Sequence, residues 1–142
     1  MQSRKAVQTQ IGVLWGRDCI FLDSVVMPDV GTLRLQGTIN ANIVRDFRAP
    51  AGWSRSDQIP YAFLFHGCLA HQLMELDTWD SQNHDETAFL ESSFQEIGSS
   101  NWLHRLSGKL DQNHQHFQVA TYDNVFEIIC QDFELLFGDD VG

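Results

Sequence analysis

His114 and His116 stand two residues apart with Asp111 close by, and on an extended backbone both imidazoles face the same way. Two such nitrogens and a carboxylate are a workable beginning for a divalent metal site, zinc or copper. The same trio is common in polar loops that hold no metal, because the pattern is short and generic. Asp77, Asp80, His84 and Asp85 make a second polar group. Paired carboxylates can share a proton or hold an ion, but this spacing matches neither an EF-hand loop nor an HExxH helix, and a solvated acidic loop accounts for it better. Cys68 with His71 offers a nucleophile beside a base. Reactive thiols need electropositive surroundings, however, and no Lys or Arg occurs between Arg55 and Arg105, so a buried, inert thiol is expected. Trp53, between Arg48 and Arg55, is the basic and aromatic patch of the chain. It could stack on a planar or sugar-like ligand, pair with an anion or anchor a protein interface. Alternatively Trp53 folds back over the core while the arginines pair with Asp46 and Asp57. No GxGxxG, Walker loop, GxSxG elbow or zinc-knuckle spacing occurs, and no organic cofactor is implied.

These residues must be positioned by the elements around them. Cys19 to Met27 and Leu33 to Ile39 read as a β-hairpin across the Pro28-Asp29 and Gly31 turn, the second strand alternating cleanly between apolar and polar positions. Ile43 to Phe47 reads as a third strand, and Ala49 to Pro60 as a long irregular loop carrying Trp53. Tyr61 onward is strand as far as Gly67, where a bulge or bend is expected; Leu69, Leu73 and Leu76 beyond it fit either period. Thr78 to Thr87 reads as a polar connection, Phe94 to Ile97 as a strand, and Asn101 to Leu106 as a short capped helix. The closing stretch, Gln115 to Phe137, fits strands better than a helix because it is rich in β-branched and aromatic residues. Its apolar parity flips near Gln131-Asp132, as a bulge would produce. The fold class expected is mainly β, an antiparallel sandwich or barrel-like sheet with one or two short helices, the alternative being α+β. Residues 1–10 are expected to be flexible and 11–138 to form one globular domain.

At 142 residues with 43% hydrophobic side chains, ten Phe and four Trp, the chain can build its own core. Cys19, Cys68 and Cys130 lie in apolar runs without CxxC spacing, which suggests reduced thiols and a cytoplasmic setting. No apolar leader or membrane-length run is present, so no membrane is expected. The net charge of −10 is unevenly spread. Up to Arg55 there are seven basic and four acidic residues, a net of +3; from Ser56 there are two and fifteen, a net of −13. Nucleic acid is therefore a poor partner, since phosphate binding needs cations, whereas a cationic protein is favoured electrostatically.

The phrases MELDTWD (Met74 to Asp80), SSFQEIGSSNWL (Ser92 to Leu103) and HFQVATYDNVFEII (His116 to Ile129) resemble a loosely defined group of small uncharacterised bacterial proteins. In that group an SxWL turn precedes a strand pair holding YDxVFEV, and some small proteins of similar style serve as immunity partners of toxins. The resemblance brings no catalytic residue with it. The function expected is a non-catalytic protein-interaction module, immunity-type in style, binding a cationic partner through an acidic surface. The alternatives are a metal-dependent or small-ligand enzyme using His84, His114 and His116, and a homodimeric assembly protein joined through strand edges.

Overall fold

The alternation of Leu33, Leu35, Gly37 and Ile39 against polar neighbours becomes the central hairpin of the fold. In a computed structural model that describes residues 2–51, 53, 57–84, 88–106 and 113–141, β3 (Ile20–Val26) pairs antiparallel with β4 (Leu33–Asn40). Gly37 is required there: a Cβ would run into the Phe21 carbonyl of the neighbouring strand. On its other side β4 pairs with β6 (Gln58–His66), and β6 with β11 (Asp132–Phe137), giving a four-stranded sheet in the order β11-β6-β4-β3. The second sheet has five strands, β1 (Ser3–Ala6), β8 (Phe94–Gly98), β9 (Gln115–Ala120), β10 (Asn124–Cys130) and β7 (Ala70–Glu75), in that spatial order. A two-stranded pair, β2 (Val13–Leu14) and β5 (Val44–Arg45), completes the set. The pairings are antiparallel, and the chain is mainly β with two short helices, α1 (Leu76–Asn83) and α2 (Asn101–Arg105).

One bent hairpin joins the sheets. β6 leaves the four-stranded sheet at Gly67, whose φ of 61° turns the chain into β7. Its antiparallel neighbour makes the same passage from β10 through Gln131 to β11, so the parity flip read near Gln131-Asp132 marks a change of sheet. Main-chain bonds from Gln131 N–H to His66 O (3.0 Å) and from Leu69 N–H to Ile129 O (2.9 Å) hold the corner. Between the sheets Phe63, Phe65, Phe94, Phe117 and Phe133 interlock, with ring centroids 5.5 Å apart for Phe63–Phe94 and 4.9 Å for Phe117–Phe133. Each buried Phe contributes on the order of 1.5–3 kcal/mol.

Three expectations need correction. The N-terminus is not loose throughout: Ser3–Ala6 is an edge strand on β8, extended by Val7 N–H to Phe94 O at 3.0 Å. Main-chain bonding secures it, so its sequence carries no apolar alternation. The polar connection expected from Thr78 is helical as far as Asn83. Glu75 caps that helix, its carboxylate accepting from Asp77 N–H (2.9 Å) and Thr78 N–H (3.0 Å). Trp79 is its one buried residue, which leaves no apolar stripe to read in the sequence. The third strand shrinks from Ile43–Phe47 to Val44–Arg45 because a 3₁₀ turn occupies Ala41–Ile43.

Candidate functional site

The register places four polar side chains in one row across the outer face of the five-stranded sheet: Gln95 opposite Gln118, Gln118 opposite Glu127, and Glu127 opposite Gln72. His116, two residues before Gln118, lies on the same face. Such a face would ordinarily meet water. Here Trp79 of α1 packs on Ala120, Val125 and Ala88, and α2 brings Trp102 edge-on to His116, with ring centroids 5.5 Å apart. Glu127 is consequently only 9% exposed and His116 3%.

A carboxylate so placed must be satisfied internally. Oε1 of Glu127 accepts from His116 Nε2 (2.9 Å) and Gln118 Nε2 (2.8 Å); Oε2 accepts from Gln72 Nε2 (2.9 Å) and Trp79 Nε1 (3.3 Å). Gln118 Oε1 in turn accepts from Arg4 and from Gln95 Nε2. Burial opposes ionisation of Glu127, yet hydrogen bonds from His116, Gln118 and Trp79 and the attraction of His116 outweigh it, holding the carboxyl down at about 2. Because a carboxylate only accepts, His116 Nε2 carries a proton, which leaves Nδ1 to face the Ser100 hydroxyl at 2.6 Å. Ser100 Oγ also accepts Leu103 N–H at 3.0 Å as the N-cap of α2.

The order serine, imidazole, carboxylate is that of an acid–base relay. Its position argues for a brace: Ser100 is 5% exposed, and its oxygen already closes the helix start. A cleft of about 290 Å³ opens above the network, walled by Arg4, Asn83, Asn101, Trp102 and Arg105 with His116 and Glu127 at its floor. Ser100 is not among the described residues lining it.

The residues singled out in the sequence are scattered. His116 uses both ring nitrogens within the network, His114 precedes β9 half-buried, and His84 ends α1 exposed, in a left-handed conformation. Asp111, Asp85 and Arg55 lie outside the described residues. Among the described residues no three His, Cys, Asp or Glu side chains are grouped to hold a metal ion. Trp53 is half-buried against the main core, beside Pro50 and Gly138, and Arg48 is exposed. The Cys68 thiol is pushed up by burial and directed at the Ala70 carbonyl (3.7 Å). Sequence reasoning passed over Ser100, Gln118 and Glu127. A signal existed for two of them: Gln118 and Glu127 interrupt runs that are apolar on both faces, where a polar side chain needs a buried partner. Comparison with protein-family models, curated proteins and solved structures finds no match.

Proposed function

We propose that the protein is a non-catalytic protein-interaction module that engages a cationic partner through an acidic surface. The observation that carries this reading is where charge is left available. The buried carboxylate has four internal donors, whereas Asp132, Glu134 and Asp140 are exposed on edge strand β11 and the 3₁₀ turn Gly138–Val141 that follows it. Asp132 and Glu134, two apart on a strand, project from the same outer face. His66 lies 3.8 Å from Glu134, and Arg34 reaches the Val141 carbonyl at 3.5 Å. Such a surface would steer a basic partner and lose its hold as salt rises.

Affinity capture from native extract at low and high salt tests this, with the wild type beside the variant Asp132→Asn/Glu134→Gln/Asp140→Asn. A basic protein retained by the wild type at low salt and lost by the variant supports the reading. Identical retention by both, or no partner at either salt, overturns it. A second reading, a small polar ligand in the cleft over Glu127, is favoured by the amide and guanidinium groups lining that cleft. A thermal-shift screen of small polar ligands against the wild type and Arg105→Ala separates it from the first.

A further inference from the structure

Large apolar side chains are left exposed mainly on one open side of the sandwich, between edge strands β3 and β7. Val25, Met27, Val30, Leu69 and Leu73 are all 40% exposed or more, Leu73 by 50%. The β3–β4 hairpin is fastened along this side by Tyr122 N–H to Ile20 O (2.9 Å) and Cys68 N–H to Gly31 O (2.7 Å).

The sheet edges differ in how they are closed. On β11, Asp132 Oδ1 takes the Phe133 N–H (2.8 Å) and Gln10 Nε2 takes the Leu135 carbonyl (2.7 Å). β3 is interrupted by an irregularity between Leu22 and Ser24 that sets Asp23 at the edge, and β1 carries Arg4 and Lys5. These are devices that discourage further pairing. Among the described residues β7 keeps an unbroken register with β10 and no side chain is hydrogen-bonded to its outer edge. The bonds Thr121 N–H to Asn124 O (2.7 Å) and Leu76 N–H to Asp123 O (2.8 Å) fix the direction of each amide along the register. The main chains of Gln72 and Met74 thus face β10, while the N–H and C=O groups of His71 and Leu73 and the N–H of Glu75 point off the sheet; the Glu75 carbonyl belongs to the first turn of α1. Among the described residues those main-chain groups meet no partner.

We infer that β7 is a self-association edge, on which a second copy of this chain pairs antiparallel about a two-fold axis at Leu73. That axis matches outward residue to outward residue: Leu73 meets the partner's Leu73, and His71 meets the partner's Glu75 on either side. Imidazole then lies opposite carboxylate at both ends, with leucine against leucine between them, adding to the apolar strip. A parallel arrangement would set Glu75 against the partner's Glu75. The closed two-fold pairing is isologous, so it stops at a dimer. It stands independently of the partner proposed above and has the opposite salt response. Two copies, each carrying a net charge of −10, repel, so added salt strengthens the dimer while weakening a cationic partner's hold.

Sedimentation velocity over a concentration series at low and high salt is the test. The wild type is expected to dimerise with rising concentration, more tightly at high salt. Leu73→Lys is expected to stay monomeric with an unchanged melting temperature. Paired Cα atoms in such a ladder lie about 5.5 Å apart, within disulfide range, so Leu73→Cys should give a disulfide-linked dimer on mild oxidation. Leu90→Cys, at a residue 62% exposed elsewhere, should not. A wild type that stays monomeric, a dimer that survives Leu73→Lys, or linkage no faster for Leu73→Cys than for Leu90→Cys overturns the inference. So does a monomer whose β7 edge instead takes up a basic extended peptide.

Discussion

Replacing Glu127 by Gln keeps the side chain's shape and removes its charge, which makes it the sharpest probe of the buried network. A carboxamide retains one oxygen, so its NH₂ end must confront two of the four donors now satisfied, either His116 and Gln118 or Gln72 and Trp79. Two bonds to a charged acceptor are worth about 3–6 kcal/mol, from which relief of the buried charge subtracts a part. The lowered carboxyl leads to the same figure. The carboxyl falls from 4.5 to about 2 on folding, and at 1.36 kcal/mol per pKa unit the charged form adds roughly 3 kcal/mol at neutral pH. Because the folded value is the lower one, that contribution is fully present above pH 4.5 and is lost as the pH falls towards 2. Glu127→Gln should therefore be less stable by about 3 kcal/mol at pH 7, a drop of about 10 °C in Tm for a chain of this length. The gap should narrow steadily below pH 4.5. Urea unfolding of both proteins at pH 7, 5 and 3 measures it. A variant as stable as the wild type at pH 7, or a gap that persists undiminished at pH 3, would show that the network does not hold the charge as argued.

Trp79→Ala should cost about 3–5 kcal/mol, since it empties the space under α1 and removes one donor to Glu127; faster limited proteolysis within residues 76–83 is the local readout. Gly37→Ala should destabilise by about 1–3 kcal/mol because a methyl group there meets the Phe21 carbonyl of the paired strand, and hydrogen exchange should show the β3–β4 ladder loosened first. Among the thiols, burial pushes Cys19 and Cys130 up to about 12, and Cys68 is raised as well. At pH 8 a thiol reagent should modify half-buried Cys68 first and reach Cys19 and Cys130 only through unfolding; peptide mass mapping that found either of those two labelled early would contradict this.

Local chemistry made much of the fold legible. The β3–β4 hairpin followed from strict alternation around a proline and glycine turn, and α2 from a Ser or Asn cap with Trp102 and Leu106 four apart. The parity flip at Gln131 was legible too, but as a bulge, whereas the chain there passes from one sheet to the other, which only the pairing of β10 with β7 and of β11 with β6 decides. Helix α1 was not legible, because Trp79 docks on a sheet assembled from β9 and β10 and the helix shows no apolar period of its own. The paired histidines looked like a metal site because spacing reports direction along a strand and says nothing about what lies across it. His116 faces Ser100 and Glu127, sixteen and eleven residues away.

The amino-acid sequence by itself determined the strand-rich class, the turn joining β3 to β4, and the gathering of negative charge beyond residue 55. Tertiary structure alone decided which side chains share the outer face of the five-stranded sheet, and hence that Glu127 is buried and ionised while His71 and Leu73 keep an open edge. The physical reason is one of range. Turn and strand preferences are settled within a few residues of chain, whereas burial, hydrogen-bond closure and edge exposure depend on which strands lie side by side.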